Sequence, residues 1–195
     1  MRKLIVSLFC AGACLTVNAQ AGSLKEIKLN EPDKTRGKSV MQALSERKST
    51  REFSDKELSF KDLSDLLWAA NGVNRPDGRR TAPSARNMQD ITVYLCTKEG
   101  SYRYNAKEHL LEPVSEGDVR PIGTASVCLI LVADDSKEYN MIDAGIVSQN
   151  ISIFCAGVDL ATVPRGQMDK NKISEALKLT APQTPVLNHP VGYFK

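Results

Sequence analysis

The stretch "YNMIDAGIVSQNISIFCAGVDLA", residues 139–161, decides the fold of this chain. It is the longest segment with helical character, and apolar residues would occupy nearly every side of the helix. A helix on a protein surface carries one apolar stripe, whereas a helix that is apolar nearly all round is enclosed by other elements. The stretch therefore predicts a central helix that runs through the core.

The segments on either side of this helix predict a sheet. Directly before it, "SVCLILVAD" is apolar without alternation, as expected of a strand that is buried on both faces. Further upstream, Ile91, Val93 and Leu95 alternate along the chain and begin a hairpin or meander. Downstream, "NKISEALKL" predicts a short amphipathic helix, and "TPVLNHPVGYF" predicts a closing strand.

Two helices are predicted before the sheet. Ser39 caps the first, which ends near Lys48; Ser59 opens the second in a capping-box pattern, and Gly72 ends it. The first helix carries three apolar residues on one face: Val40, Met41 and Leu44. The order of helices and strands predicts an α+β layered fold with a mixed, mainly antiparallel sheet.

The first nineteen residues have the layout of a secretory signal peptide. A short basic start and a short apolar stretch lead to small residues at Val17 and Ala19, which predict cleavage after Ala19. The alternatives are a buried N-terminal helix and a lipoprotein acylated at Cys14. We therefore expect residues 1–19 to direct export to the periplasm or medium, with a polar arm over 20–37 and one domain over 38–195.

The composition narrows the choice of partners. The chain has 26 lysine and arginine residues against 23 aspartate and glutamate residues, a formal net charge of +3. Removal of the signal peptide takes away two of the basic residues and leaves +1, which gives no argument for nucleic acid or an acidic membrane. No later apolar run approaches the roughly 18 residues that a membrane span requires.

The cysteines and histidines give no catalytic or metal pattern. Cys96, Cys128 and Cys155 each lie in an apolar run, and the odd count without C-x-x-C favours buried free thiols over a disulfide framework. His109 and His189 are far apart and lack ligand-like neighbours, so we expect no metal site.

The segment "RKSTREF", residues 47–53, concentrates cations in a nearly neutral chain. The C-terminal end of a helix favours cations, which explains Arg47 and Lys48 but not Arg51, because Arg51 lies beyond the helix. Alternation along an extended segment places Ser49 and Arg51 on one side. A hydroxyl beside a guanidinium suits a phosphate, so two interpretations remain open: an anion site and a solvated corner.

Two further stretches suit a flat ligand. "TAPSARNMQ" places Ser84 and Asn87 in a loop before a strand, and Pro83 fixes the approach of that loop. "VPRG" follows the central helix and its strand, and Gly166 would let a backbone N–H approach a ligand closely.

With these pieces in place, the sequence resembles the nitroreductase family of flavoproteins. "RKSTREF" resembles the family's "RRSxRxF" entry, and "PSARNMQ" resembles its "PSSxNxQ" loop. "DAGIVSQNISIFCAGVDLATVPRG" resembles its long helix and following turn, and "HPVGYF" its closing segment. The pieces occur in the family's order and cover residues 38–195, so the resemblance implies a nitroreductase-like layered fold.

The resemblance also implies FMN, held noncovalently at the interface of a homodimer. Arg47 and Ser49 would hold the phosphate, Lys48 would add charge, and Arg51 would approach the pyrimidine edge of the flavin. The loop before the first long strand would reach the cofactor of the partner subunit, and the backbone of the "VPRG" turn would meet flavin N5 and O4. The implied cofactor-binding residues are Arg47, Lys48, Ser49, Arg51, Pro83, Ser84, Asn87, Arg165, Gly166 and Lys195.

The implied activity is transfer of hydride or electrons through flavin N5 to a small acceptor such as a nitroaromatic or a quinone. NAD(P)H is the candidate donor, and the flavin carries the chemistry, so no protein acid, base or nucleophile is required. One alternative is a flavin-binding electron carrier without turnover of its own. Another is an interaction domain whose basic corner is merely solvated.

Overall fold

A seven-stranded sheet and one long helix organise the fold in a computed structural model that describes residues 23–135 and 138–195. The helices are α1 (Val40–Glu46), α2 (Phe60–Asn71), α3 (Asn140–Gly157) and α4 (Lys170–Ala176). The strands are β1 (Ile27–Lys28), β2 (Ile91–Cys96), β3 (Gly100–Asn105), β4 (Leu110–Glu116), β5 (Val127–Ala133), β6 (Leu160–Thr162) and β7 (Thr184–Tyr193). The predicted signal peptide lies outside the described residues.

The sheet has the order β1-β4-β3-β2-β5-β7-β6, and every described strand pair is antiparallel. The α+β class and the order of the long elements are confirmed, while the sheet is more regular than the mixed one expected. The meander β2-β3-β4 also forms as the alternation predicted.

Strand β5 is buried on both faces, as its unbroken apolar sequence predicts. Leu129 and Leu131 on one face belong to the core that includes α2 and α3. Cys128 and Ile130 on the other face pack in a second cluster with Ile173 of α4. A strand enclosed on both sides has no solvent face, which explains why its sequence does not alternate.

Helix α3 packs on the sheet along one side only. Val147 and Ile151 are 2% and 0% exposed, whereas Met141 and Ile142 in the first turn are 65% and 60% exposed. The prediction of a helix enclosed all round is therefore wrong for the single chain. The helix is apolar on a face that this chain leaves uncovered.

The helix ends follow local capping rules. Ser39 Oγ accepts the N–H of Gln42 at 3.2 Å, and Ser59 Oγ accepts the N–H of Asp62 at 3.0 Å. Gly72 ends α2 with φ −77°, so no left-handed turn requires it. Glycine is needed there because an added Cβ would lie 2.5 Å from Trp68 Cδ1.

The described part of the predicted arm is packed against the domain. β1 pairs with β4, and Arg36 forms salt bridges at 2.6 Å to Asp62 and 2.7 Å to Asp65 on α2. These two salt bridges hold the chain against α2 just before it enters α1. Among the described residues, no helix is long and apolar enough to cross a membrane.

Candidate functional site

The basic segment, residues 47–51, leaves the end of α1 and lies on the surface. Arg47 is the C-cap of α1, with its N–H bonded to the carbonyl of Ala43 at 2.9 Å. Arg47, Lys48 and Arg51 are exposed, as is the hydroxyl-bearing Ser49. The structure therefore confirms the predicted position of these cations at the end of the helix.

The cations of the basic segment have no carboxylate partners in the described part of the chain. Other cations of the same region do: Arg36 binds two aspartates of α2, and Lys38 binds Glu46 at 2.6 Å and also Asp159. Lys48 instead places its ammonium 5.7 Å from the ring centre of Phe194. The segment therefore presents positive charge at the surface that no described salt bridge compensates.

The fold anchors the basic segment to the end of the sheet. The N–H of Thr50 donates to the carbonyl of Thr162 on β6 at 2.9 Å. Phe53 forms a bridge with Phe194 and packs on Gly192, where an added Cβ would lie 3.2 Å from Phe53 Cδ1. The same bridge brings Lys195, the last residue, beside the end of the segment.

The turn after β6 supplies a free backbone donor. Arg165 pairs with Asn188 of β7 through both backbone groups, at 2.9 and 2.8 Å, so its own N–H is occupied. Within the described ranges the N–H of Gly166 has no hydrogen bond, and an added Cβ there would meet nothing within 4 Å. The open side of the turn is therefore at Gly166.

The side chain of Arg165 is partly buried, and its Nη1 atom is enclosed without a hydrogen-bond partner among the described residues. A buried guanidinium nitrogen that lacks an acceptor is costly. The turn therefore carries an unsatisfied donor on its side chain as well as a free N–H on its backbone.

The loop over residues 83–89 has an unusual backbone. Arg86, Asn87 and Gln89 adopt positive φ values of 53°, 56° and 54°, in the left-handed region that side chains disfavour. Ser84 Oγ accepts the N–H of Gln89 at 2.8 Å and closes the loop on itself. Strain of this kind persists only where surrounding contacts hold it, and it is common at ligand sites.

A buried carboxyl group fastens this loop to α3. Both oxygens of Asp143 accept the N–H of Ala85, at 3.0 and 3.1 Å. Asp90 is 5% exposed, and neither of its carboxyl oxygens has a hydrogen-bond partner among the described residues. Burial, together with the negative charge of Asp143, raises the pKa of Asp90.

The basic segment and the 83–89 loop are held near opposite ends of α3. The loop is bonded at Asp143 in the first turn, and the entry to α1 is bonded where the N–H of Lys38 meets the carbonyl of Gly157. These two points are about 21 Å apart along the helix axis, at 1.5 Å per residue. The structure bonds the segment to Thr162 of β6, the strand before the Gly166 turn, and brings neither the segment nor the turn into a described contact with the loop.

An exposed apolar patch covers α1, where Val40, Met41 and Leu44 are 68%, 76% and 47% exposed. α1 packs at the Gly157 end of α3, so the exposed Met141 and Ile142 in the first turn of α3 lie near the opposite end of that helix and form a separate apolar surface. The apolar face predicted for α1 exists but does not face the core of its own chain.

Sequence reasoning missed a second group of cations. The stretch "VNRPDGRRTAP", residues 73–83, forms a turn that gathers Arg75, Arg79 and Arg80 around one pocket next to Pro83. The available signal was charge, because "NRPDGRRTAPSAR" holds four arginines in thirteen residues.

An antiparallel sheet with a long helix packed across it defines an α+β protein, and its surface carries an unpaired basic segment after α1 and a glycine turn after β6. The sequence profile of the nitroreductase family matches residues 44–193. The chain belongs to the nitroreductase family, and it is an oxidoreductase of that family.

Individual relatives agree with this assignment. The chain is 28% identical over 204 residues to a nitroreductase-named protein of Methanocaldococcus jannaschii, covering 91% of this chain and 96% of that one. A crystal structure described as a nitroreductase of Ralstonia eutropha has a TM-score of 0.83 and 34% identity, covering 89% and 91% of the two chains. A chain of the E. coli microcin synthetase complex shares the fold, with a TM-score of 0.67 and 19% identity over 96% of this chain and 85% of that one.

Proteins of this family generally use a flavin and NAD(P)H. The residues present here fit such a cofactor on three observations. The basic segment offers cations without internal partners, Gly166 offers a free N–H with open space beside it, and the strained 83–89 loop exposes Pro83 and Asn87.

Proposed function

We propose that the protein is an FMN-dependent oxidoreductase that transfers hydride or electrons to a small acceptor such as a nitroaromatic or a quinone. The observation that supports this most directly is the unpaired basic segment, which is bonded through Thr50 to β6, the strand that leads into the turn with the free N–H of Gly166. Bound FMN would supply the redox chemistry, accepting two electrons from a donor and passing them to an acceptor. The chain binds and orients it.

The phosphate end of the cofactor would be held by Arg47 and Ser49, with Lys48 adding charge and Lys195 lying close by. A guanidinium binds phosphate through two parallel N–H donors, and a neighbouring hydroxyl adds a third. These side chains are exposed to water, so the unliganded protein carries little desolvation cost for them. Their lack of carboxylate partners means that no internal salt bridge must be broken.

Arg51 would act on the ring system rather than on the phosphate. It follows Ser49 by two residues on the extended segment, so both point to the same side. A cation about 4 Å from a negative charge contributes about 4 kcal/mol at an effective dielectric near 20. Arg51 would therefore favour the more negative, reduced charge state, while the N–H of Gly166 orients the ring.

The described histidine and cysteine side chains are not available as catalytic groups. Cys96, Cys128 and Cys155 are buried free thiols, as the sequence predicted, and burial raises the pKa of Cys96 to about 12. Both ring nitrogens of His109 and of His189 already have hydrogen-bond partners. Catalysis would thus depend on positioning and electrostatics.

The functional unit would be a homodimer with FMN at its interface. The exposed apolar patch on α1 supplies a face that a second copy can cover, and the family is typically dimeric. Pro83, Ser84 and Asn87 would then reach the cofactor held by the partner's basic segment. This arrangement explains why one chain keeps the segment and the loop apart.

We also propose that the protein works after export, with residues 1–19 removed, and that NAD(P)H or another small reductant supplies the electrons.

Flavin binding tests the proposal. We expect the purified chain to bind one FMN per subunit by fluorescence quenching, and Arg47→Ala to weaken binding about 10- to 150-fold, the equivalent of a charge-assisted bond of about 1.5–3 kcal/mol. Arg51→Ala should lower the midpoint potential of the bound flavin, measured with FMN in excess. Arg103→Ala is the matched control, because Arg103 is paired with Glu112 on the opposite half of the sheet.

The outcomes separate the alternatives. If neither Arg47→Ala nor Arg51→Ala changes affinity or potential, the basic segment is a solvated corner and the proposal fails. If flavin binds but no nitroaromatic or quinone is reduced with an artificial donor, the protein is an electron carrier.

A further inference from the structure

A tight turn before the 83–89 loop positions three arginines. In "RPDG" the carbonyl of Arg75 accepts the N–H of Gly78 at 3.1 Å, and Gly78 has φ 80°, which suits glycine. The N–H of Asn74 donates to the carbonyl of Arg79 at 3.0 Å and closes the base of the turn. Arg75, Arg79 and Arg80 therefore have defined positions on a hydrogen-bonded backbone.

Arg80 is a partly buried cation without a counter-ion in the described part of the chain. Its Nε is enclosed and has no hydrogen-bond partner, and its Nη1 makes only a long bond of 3.4 Å to the carbonyl of Ile91. Burial lowers the pKa of Arg80, although a guanidinium stays protonated in proteins. A buried charge in this state is stabilised if an anion approaches it.

The three arginines line one pocket of about 260 Å³ with Pro83, Ser84 and Asn87. Among the described residues that line the pocket, none is acidic. The nearest carboxylate in the turn is Asp77, which lies 3.5 Å from Arg79 with both side chains about half exposed. The pocket is therefore strongly positive and opens beside the loop that carries three of the proposed cofactor residues.

A solvated loop would explain only part of this arrangement. Surface arginines such as Arg75 and Arg79 are common and need no ligand. Arg80 differs, because its Nε has been removed from water without receiving an acceptor. An anion in the pocket would place negative charge beside the uncompensated guanidinium of Arg80 and could also accept hydrogen bonds from the two exposed guanidinium groups.

We propose that the pocket of Arg75, Arg79 and Arg80 binds an oxyanion group, a carboxylate or a phosphate, of the small molecule that exchanges electrons with the cofactor. That the bound molecule exchanges electrons with the cofactor rests on the proposed function, whereas the binding of an oxyanion in this pocket does not. Guanidinium groups bind carboxylate and phosphate through paired donors, so this pocket would select acidic substrates over neutral ones.

Binding of inorganic pyrophosphate to the FMN-saturated protein, followed by calorimetry, tests the site itself. The double variant Arg75→Ala/Arg79→Ala should lose at least about 10-fold in affinity, because it removes two charge-assisted donors. Both side chains are exposed, so the variant should unfold at the same denaturant midpoint as the parent. Arg103→Ala should bind pyrophosphate like the parent protein. An unchanged affinity in the double variant overturns the proposal.

Paired substrates identify the source of the oxyanion. The ratio of kcat/KM for NADPH over NADH tests a donor phosphate, and the ratio for 4-nitrobenzoate over 4-nitrobenzyl alcohol tests an acceptor carboxylate. The double variant should lower one of these ratios about 10-fold or more through KM. If neither ratio moves, the pocket does not serve the reaction. If FMN does not bind at all, the proposed function fails while the calorimetry still decides the anion site.

Discussion

His189 is expected to make folding stability depend on pH near neutrality. The ring is 0% exposed and lies between α3 and β6. Ser148 Oγ is 2.8 Å from Nε2, and Thr162 Oγ1 is 3.3 Å from Nδ1. Because Thr162 donates its hydroxyl to the carbonyl of Pro190 at 2.9 Å, the Nδ1–H donates to Thr162, and Nε2 accepts from Ser148. The native fold therefore requires a neutral ring.

The magnitude follows from the difference between the folded and unfolded states. Burial lowers the pKa of His189 to about 3, whereas the unfolded value is 6.5. Below pH 6.5 the unfolded chain binds a proton at His189 that the folded chain does not bind. The contribution of His189 to the free energy of unfolding is therefore fully present above pH 6.5 and is lost as the pH falls toward 3. The loss is about 1.4 kcal/mol per pH unit, or about 2 kcal/mol between pH 6.5 and pH 5.

Urea unfolding at pH 7.5 and at pH 5, for the parent protein and for His189→Gln, measures this effect. The variant is less stable at pH 7.5, because glutamine fits the site poorly, but it has no imidazole to titrate. The free energy of unfolding that separates the two proteins should therefore shrink by about 2 kcal/mol at pH 5. Other titrating groups, Asp90 among them, are present in both proteins and cancel in the comparison. Equal pH slopes for the two proteins would refute the buried neutral ring.

Three further predictions concern the interface, the support of the basic segment and the thiols. Met41→Glu should shift the FMN-loaded protein from dimer to monomer in sedimentation, because it places a charge in the exposed apolar patch; a persistent dimer at micromolar concentration would exclude this face. Gly192→Ala should cost about 1–3 kcal/mol in urea unfolding and weaken FMN binding, because its Cβ crowds Phe53; an unchanged midpoint would contradict this. Cys128 and Cys155 should react with a thiol reagent at pH 8 only in denaturant, because burial raises the pKa of both thiols; fast labelling of the native protein would show that they are accessible.

Local sequence was sufficient for most of the fold. Unbroken apolar character identified β5, alternation identified β2, and Ser39 and Ser59 marked the starts of α1 and α2. These signals work because capping and side-chain period depend on neighbouring residues alone. The basic segment was also found from sequence, because helix dipole effects could not account for Arg51.

Only the tertiary structure decided which of these residues have partners. Periodicity shows that α1 has an apolar face, but whether Met41 is covered depends on how the helix packs, and here its own chain leaves it exposed. Composition likewise cannot distinguish Arg36, held by two aspartates of α2, from Arg47, which has no described salt bridge. Charge pairing and burial are set by residues distant in sequence, so the free cations, the neutral His189 and the pocket at Arg80 emerged only from the folded chain.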